Sequence, residues 1–277
     1  MMVKGLQFSI IVNAHIYNDK SWNIALSQFA TKSNPNPENV FWRLPIVSIL
    51  VRHPEAGNFL FDTGFNLWDW DNRTDYQKET FPIEVKREEF IDKQLISKFD
   101  LTTEDIDGIF MSHLHWDHAD GISFFEGCKA IKNIYVQKQE AWDALLYSHG
   151  GPDYYEPDPL YRKSVLDTPG LEYKFVDEDT EVFPGIHLFT LQGHTRGGLG
   201  MLLECEGGSY IFPGDSIYCP ENYGPPAKAP GIVKDTAAYF VCVEKVRKLE
   251  KKYNAQLIYP HDATLEDEWK TAPYFYG

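Results

Sequence analysis

The stretch SHLHWDHADG, residues 112–121, decides how the rest of the chain is interpreted. It holds three of the nine histidines of the chain, and two aspartates, within ten positions. Because side chains alternate along an extended segment, we expect His113 and His115 to project from the same face at the end of a strand over 106–112. Two imidazoles on one side of a rigid strand end form a suitable pair of metal ligands.

The next two polar residues of this stretch indicate a second metal ion. Asp117 and His118 come after the chain has left the strand, so they can be aimed at a neighbouring point. Four titratable groups within six positions would repel one another or stay unsatisfied if they were buried without metal. Two metals need more ligands than this stretch supplies, and one ligand must be shared. We therefore expect isolated His and Asp residues at other strand ends.

Three residues of this kind follow along the chain. His194 comes just after the run IHLFTL, Asp215 ends SYIFPGD, and His261 follows AQLIYP. By analogy with open α/β sheets, where ligand sites lie at the ends of strands, these side chains are expected to meet at one edge. Structural roles are predicted for the other four histidines, His15, His53, His149 and His187.

Composition and charge narrow the class of protein. With 26 Lys and Arg against 41 Asp and Glu, the 277-residue chain has a formal net charge of −15, which disfavours nucleic acid and anionic lipid as partners. No run of eighteen apolar residues exists, so we expect no membrane span, and the N-terminus is interpreted as a first strand. Four scattered cysteines without a CxxC motif favour a reducing compartment and predict a cytoplasmic protein.

The hydrophobic pattern predicts an α/β protein of one domain, in which two sheets pack together with helices outside. Apolar residues at helical spacing predict helices over 235–254 and near 87–99. Long loops are predicted at 65–83, 148–161 and 219–231, where binding loops and lids often occur. The predicted strands cover 6–12, 46–53, 58–62, 106–112, 133–137, 186–191, 200–205 and 209–215, with another in AQLIYPHD (255–262).

The histidine and aspartate pattern resembles that of the metallo-β-lactamase superfamily, as does the segment NFLFDTG (58–64). The resemblance covers nearly the whole chain. It implies a single domain over 1–277 with an αββα sandwich and two divalent metal ions, usually Zn²⁺, at one edge. It also implies three sets of ligands: His113, His115 and His194 for one metal, Asp117, His118 and His261 for the other, and Asp215 as the bridge.

A finer resemblance is to lactonases that hydrolyse N-acyl homoserine lactones. Tyr218 follows Asp215 by three positions in GDSIY, as a tyrosine does in those enzymes, and LPIVSILVRHPEAGNFLFDTG and KVRKLEKKYNAQLIYPHD are similar to their segments. The C-terminal YFYG resembles the end of 4-pyridoxolactonase. The chain has QGHTRGG (192–198) where those enzymes commonly have PGHTPGH, so that Arg196 and Gly198 replace Pro and His. In the first histidine cluster, Trp116 stands where Phe is common.

The resemblance implies hydrolysis of a cyclic ester by a hydroxide that bridges the two metals. Tyr218 would donate a hydrogen bond to the developing oxyanion, and Asp117 would carry the proton to the leaving alkoxide. Asp62 is expected to cap a turn with Gly64 or to orient ligands rather than to take part in the chemistry, and the turn role is the favoured one. Apolar walls would set specificity, with candidate aromatic residues Trp68, Trp70, Trp116, Tyr154, Tyr155 and Tyr223 in the predicted loops.

Several alternatives stay open at the level of the sequence. The substrate could be a homoserine lactone, 4-pyridoxolactone or another small lactone. A thioester, phosphodiester or sulfate ester could also be hydrolysed at the same metal centre. Redox chemistry at a di-iron centre and a non-catalytic metal-binding module are the alternatives from other classes. The metal could be zinc, iron, cobalt or manganese. A homodimer formed through residues 14–43 is possible.

Overall fold

Two β-sheets form the centre of the protein. The computed structural model describes residues 2–66, 73–150 and 160–277. The first sheet contains β1 (Gln7–Asp19), β2 (Phe41–His53), β3 (Gly57–Phe61), β4 (Ile83–Glu84), β5 (Ile106–Phe110), β6 (Ile134–Val136) and β7 (Tyr173–Phe175). The second sheet contains β8 (Thr180–Phe183), β9 (Ile186–Leu191), β10 (Gly198–Cys205), β11 (Gly208–Phe212) and β12 (Ala255–Leu257).

The strand order explains how candidate ligands that are separated in sequence reach one edge. Within the described ranges, the first sheet has the order β4-β1-β2-β3-β5-β6-β7 and the second the order β12-β11-β10-β9-β8. Strands β3, β5, β6 and β7 run parallel to one another, so the chain leaves β3 and β5 at the same edge. In the second sheet β12 runs parallel to β11, and the two therefore also end together.

Helices lie mainly on the outer faces of the two sheets. In chain order they are α1 (Lys20–Asn23), α2 (Asp75–Thr80), α3 (Ile91–Phe99), α4 (Trp116–Ala119), α5 (Lys138–His149), α6 (Lys163–Leu166), α7 (Pro220–Tyr223), α8 (Thr236–Tyr253) and α9 (Leu265–Glu268). None of the helices in the described part of the chain is long and apolar enough to cross a membrane.

Three apolar layers hold these elements together. Between the sheets, Phe8 of β1 packs with Phe212 of β11 in a cluster that draws on both sheets. Outside the first sheet, Ile91 and Leu95 of α3 pack on its other face. Outside the second sheet, the inward side of α8, including Val243, covers β9, β10 and β11. The order helix, sheet, sheet, helix confirms the predicted αββα sandwich.

The structure differs from the sequence prediction mainly in the extent of elements. Strand β1 continues to Asp19 and pairs along its length with β2, which begins at Phe41 rather than at residue 46. The polar residues in 13–19 hide this extension, because buried Ala14 and Ile16 alternate with side chains that make polar contacts. Helix α5 was not predicted. The predicted loops contain α2 in 65–83 and α7 in 219–231, and most of 148–161 lies outside the described residues.

Candidate active site

The HLHWDH segment follows β5 and is fixed by buried hydrogen bonds to its backbone. The strand ends at Phe110, two residues earlier than predicted. The amide of Ser112 donates to Asp62 Oδ1 over 2.7 Å. The amide of Leu114 donates to Glu140 Oε1, from the first turn of α5, over 3.0 Å. Helix α4 begins directly after His115, and it turns the chain so that the next side chains lie beside the first two.

A first group of candidate ligands consists of three buried imidazoles. His194 Nε2 lies 3.2 Å from His113 Nε2 and 3.0 Å from His115 Nδ1. Burial is the main cause that lowers the pKa of each, well below the usual value for His113 and His115. The rings are therefore neutral at pH 7, and their nitrogen lone pairs converge on one point. A cation at that point would remove the repulsion between them.

A second group combines two imidazoles with two carboxylates. Asp215 Oδ1 lies 3.0 Å from His118 Nε2 and 3.2 Å from His261 Nε2. Asp117 Oδ2 is 3.8 Å and 3.7 Å from the same two nitrogens. Burial lowers the pKa of His118, but the charges of nearby carboxylates, Asp215 foremost, outweigh it and raise that pKa well above the usual value. The same balance raises the pKa of His261.

Asp215 lies between the two groups. Its Oδ2 is 3.5 Å from His194 Nε2 and 3.8 Å from His113 Nε2, whereas Oδ1 faces the second group. Burial would raise the pKa of this carboxyl, but the nearby imidazoles hold it well below its usual range. Gly214 allows the turn before Asp215 to lie against Ser112, because its φ is +55° and a Cβ there would lie 2.7 Å from Ser112 Cβ. One carboxylate oxygen therefore faces each group.

Asp62 has a larger role than that of the turn aspartate expected from the sequence. Its φ of +61° is typical of a turn, but Oδ2 accepts a hydrogen bond from His118 Nδ1 over 2.8 Å. The same oxygen accepts one from Ser112 Oγ over 2.7 Å, and Ser112 Oγ lies 2.9 Å from His113 Nδ1. Holding the proton on Nδ1 leaves Nε2 of each ring as the ligand atom. The expectation for Asp62 is corrected accordingly.

The donor atoms suit a pair of divalent cations. Ligand atoms within each group lie within 4.8 Å of one another. His118 Nε2 and Asp215 Oδ1 are buried 3.0 Å apart but are not aligned for a hydrogen bond, and neither atom has another hydrogen-bond partner among the described residues. Such atoms are costly to bury unless something binds them. Imidazole nitrogens and carboxylate oxygens are ligands typical of Zn²⁺ and similar ions, so the residues present fit a metal site.

Tyr218 lies beside the first group. Its Oη is 2.8 Å from His194 Nδ1, and only 3% of the residue is exposed. Burial raises the pKa of this phenol well above 10, so it stays a neutral hydroxyl that can donate a hydrogen bond. Tyr218 also lines the cavity over the candidate metal ligands. The sequence pointed to Tyr218 but gave no sign of its contact with His194.

A cavity of about 370 Å³ opens over both groups and is mostly apolar. Trp116 lines it, as expected, but among the lining residues Tyr223 is absent. The candidates Trp68, Trp70, Tyr154 and Tyr155 lie outside the described residues. Sequence reasoning missed the wall supplied by the end of β1, because nothing in the local pattern ties that segment to the histidines. It pointed to 65–83 as a binding loop, and this segment does line the cavity, but it did not identify the lining residues described there. The missed lining residues include Ile16, Asn18, Trp22, Arg73, Gln77 and Phe81.

The unusual residues of QGHTRGG are explained by contacts with α5 at Arg196 and with β9 at Gly198. The guanidinium of Arg196 forms a two-point ion pair with the buried carboxylate of Asp143. A Cβ on Gly198 would lie 2.6 Å from the backbone oxygen of Leu191. The departures at these two positions therefore concern how the His194 turn is held, and they leave His194 itself in place.

The remaining four histidines make polar contacts away from this site. His15 Nε2 is 2.7 Å from Glu266, His53 Nε2 is 3.0 Å from the backbone oxygen of Pro184, and His149 Nε2 is 3.4 Å from Asp167. His187 Nε2 lies 2.9 Å from Glu204 on the outer side of β9 and β10. These contacts agree with the structural roles predicted for them.

Comparison with known proteins reveals clear relatives. A family model described as Metallo-beta-lactamase superfamily matches residues 42–261. The N-acyl homoserine lactonase AiiB of Rhizobium rhizogenes is 27% identical over 268 residues, which are 93% of this chain and 94% of that protein. A structure of a Bacillus thuringiensis AiiA variant with bound N-decanoyl-L-homoserine has a TM-score of 0.81 at 24% identity, with all of both chains covered. An N-acyl homoserine lactone hydrolase, with product at its catalytic metal centre, has a TM-score of 0.78 at 25% identity, again with full coverage.

Proposed function

The chain belongs to the metallo-beta-lactamase superfamily, and from this premise we propose that it is a metal-dependent hydrolase that opens a lactone ring, with N-acyl homoserine lactones as first candidates. The position of Asp215 between two ligand groups, directly under the cavity, is the observation that carries the proposal. It supplies the shared ligand that a two-metal hydrolytic site requires. The similarity to proteins named N-acyl homoserine lactonases supports the choice of substrate class.

We assign the ligands by group. His113, His115 and His194 would hold one metal ion, and Asp117, His118 and His261 the other, with Asp215 shared. We propose Zn²⁺ as the ion, given this donor set. Bound divalent cations polarise a carbonyl and lower the pKa of water from 15.7 towards about 7, which makes a nucleophile available at neutral pH. A cytoplasmic location and a homodimer stay predictions.

Residues of the chain would then bind and orient the lactone. Tyr218 lines the cavity as a neutral phenol, so its hydroxyl can donate to the carbonyl oxygen as negative charge develops there. Asp117 also lines the cavity, and its carboxylate can accept the proton of the hydroxyl that is added to the carbonyl carbon and pass it to the departing ring oxygen. The apolar walls, including Trp116, exclude water and accept the substituent of the ring.

The test is acid release at neutral pH by Zn²⁺-loaded protein on a panel of esters. The panel holds N-hexanoyl and N-decanoyl homoserine lactone, 4-pyridoxolactone, γ-butyrolactone, a thioester and an activated phosphodiester. We expect turnover of lactones, and a loss of at least about a thousandfold in kcat/KM for Asp215→Asn, because both metals lose a shared charge. A Zn²⁺ titration of the variant shows whether two ions still bind. Turnover confined to the thioester or phosphodiester would overturn the lactonase assignment.

A further inference from the structure

Glu140 is a buried carboxylate outside the two ligand groups, and it contacts the segments that carry the first of them. It lies in the first turn of α5 and is fully buried. Its Oε1 accepts hydrogen bonds from the amide of Leu114 over 3.0 Å and from the hydroxyl of Tyr161 over 3.1 Å. Because Leu114 is the residue between His113 and His115, this one oxygen binds the backbone between two candidate ligands.

The loop that carries His194 lies against the same turn of α5. A Cβ on Gly197 would lie 2.2 Å from the backbone nitrogen of Glu140 and 2.7 Å from its Cα, so loop and helix are in direct backbone contact. Burial raises the pKa of the Glu140 carboxyl, and the nearby hydroxyl of Thr195, the residue after His194, opposes that rise. The start of α5 therefore contacts both segments that supply the three imidazoles.

Tyr161 extends the contact of Glu140 to the ring of His115. The backbones of Tyr161 and His115 form an antiparallel bridge, and their ring centroids are 4.8 Å apart in an edge-on arrangement. The hydroxyl of the same tyrosine donates to Glu140. One side of the His115 ring thus packs on a side chain that Glu140 holds.

The first ligand group needs such support more than the second. In the second group, Asp215 Oδ1 lies 3.0 Å and 3.2 Å from the two imidazoles and attracts them. In the first group, three neutral rings meet at distances of 3.2 Å and 3.0 Å, and Asp215 Oδ2 is 3.5 Å from His194 Nε2. Lone pairs that converge on one point do not attract one another, so their arrangement depends on the residues that hold the backbone.

We propose that Glu140 is a positioning residue of the metal centre, whose carboxylate fixes the HLHWDH segment against the His194 loop and thereby raises the affinity of the first ligand group for its ion. The inference rests on the metal site of the proposed function. A buried carboxylate is costly unless it is hydrogen-bonded, and an apolar side chain could fill the same space. The contacts of Glu140 offset this cost and assemble the three imidazoles before an ion binds.

Two substitutions of similar length separate hydrogen bonding from packing. Glu140→Met removes the acceptor, whereas Glu140→Gln keeps one for the Leu114 amide. Chelator competition measures the Zn²⁺ affinities, and nitrogen NMR of the imidazole rings shows which group binds at each step. In Glu140→Met we expect the affinity of the first group to fall about 10- to 100-fold and that of the second by no more than about threefold. In Glu140→Gln both should stay within about threefold of wild type.

Hydrogen exchange of the Leu114 amide tests the contact without metal. In the metal-free protein this amide should be protected in wild type and in Glu140→Gln, and should exchange faster in Glu140→Met. Asp177→Asn is the matched control, because exposed Asp177 accepts a hydrogen bond from the Lys138 amide over 3.2 Å at the start of the same helix. It should change neither Zn²⁺ affinity nor the exchange of Leu114.

A further variant decides the question if Glu140→Met does not fold. Glu140→Asp keeps a carboxylate but draws it back from Leu114 by one methylene, and it should lower the affinity of the first group about tenfold. Equal losses at both groups, or an unchanged first group in the deciding variant, would overturn the inference. A loss in Glu140→Gln as large as that in Glu140→Met would overturn it as well.

The proposed function and the inference fail in different ways, because Zn²⁺ affinity and amide exchange need no substrate. No turnover of any lactone by the Zn²⁺-loaded wild type, together with a selective loss at the first group in Glu140→Met, would overturn the lactonase function and keep the role of Glu140. Lactone turnover by the wild type without such a selective loss would overturn the role of Glu140 alone.

Discussion

The two ligand groups of the site differ in charge and in how their imidazoles are held. The first group has three imidazoles whose pKa values are lowered by burial, and the second has two whose pKa values are raised by carboxylates. In the first, His194 is held by neutral groups, the hydroxyl of Tyr218 and the backbone oxygen of Ile232. In the second, His118 is held by the charged carboxylate of Asp62.

The two groups therefore differ in the protonation state of their imidazoles before a metal binds. The first group is ready for a cation because its nitrogens are already deprotonated. The second attracts a cation with negative charge but must release protons to bind it. Asp62 joins the two, because it contacts His118 directly and reaches His113 through the hydroxyl of Ser112.

The largest effect is expected for Asp62→Asn. The substitution removes a buried negative charge behind His118, and losses of about 10- to 100-fold in metal affinity are typical when such a partner of a ligand is changed. We expect the affinity of the second group to fall more than that of the first. Competition between the protein and a chelator for Zn²⁺ measures the affinity of each group. Asp179→Asn, on the surface beside Lys245, is the matched control. Equal losses at both sites would contradict the comparison.

Tyr218→Phe should have a smaller effect of a different kind. It removes one neutral hydroxyl, whose hydrogen bond contributes about 1 kcal/mol, or about fivefold to tenfold in rate. We expect kcat on a lactone to fall by about this factor while two Zn²⁺ ions still bind and KM changes little. Steady-state kinetics and metal analysis on the same preparation measure this. Weaker Zn²⁺ binding with unchanged kcat would instead make Tyr218 an anchor of His194, and no change at all would make it a packing residue.

The part of the site that can be predicted is the part that depends on the local spacing of residues in the sequence. HxHxDH at a strand end placed four side chains together, and His194, Asp215 and His261 were found because each follows an apolar strand. Parallel strands that leave a sheet at one edge bring such residues together, as β3 and β5 do. The αββα order could be expected from the alternation of strands and the amphipathic pattern of α8, together with the family resemblance.

The less predictable part depends on contacts between distant segments. Asp62 occupies a turn, and its second role needs the position of His118, 56 residues later. Asn18 and Trp22 reach the cavity because β1 runs on past the core and pairs with β2 to its end, and Arg73 reaches it from the residues just before α2. Polar and aromatic residues in such a strand end look like loop residues, since their burial comes from tertiary packing rather than from periodicity.

The smallest effect concerns protons alone, and it tests the comparison most directly. At pH 6.5 in the metal-free protein, lowered pKa values predict neutral His113 and His115, and raised pKa values predict charged His118 and His261. Nitrogen NMR of the imidazole rings measures these states.

Because a raised pKa means that protons compete with metal up to a higher pH, the affinity of the second group should rise with pH above 6.5, while that of the first changes little. In Asp62→Asn the pKa of His118 should fall, since Asp62 is among the charges that raise it, and fewer protons should be released when Zn²⁺ binds. The same pH slope at both groups would show that carboxylates do not distinguish them.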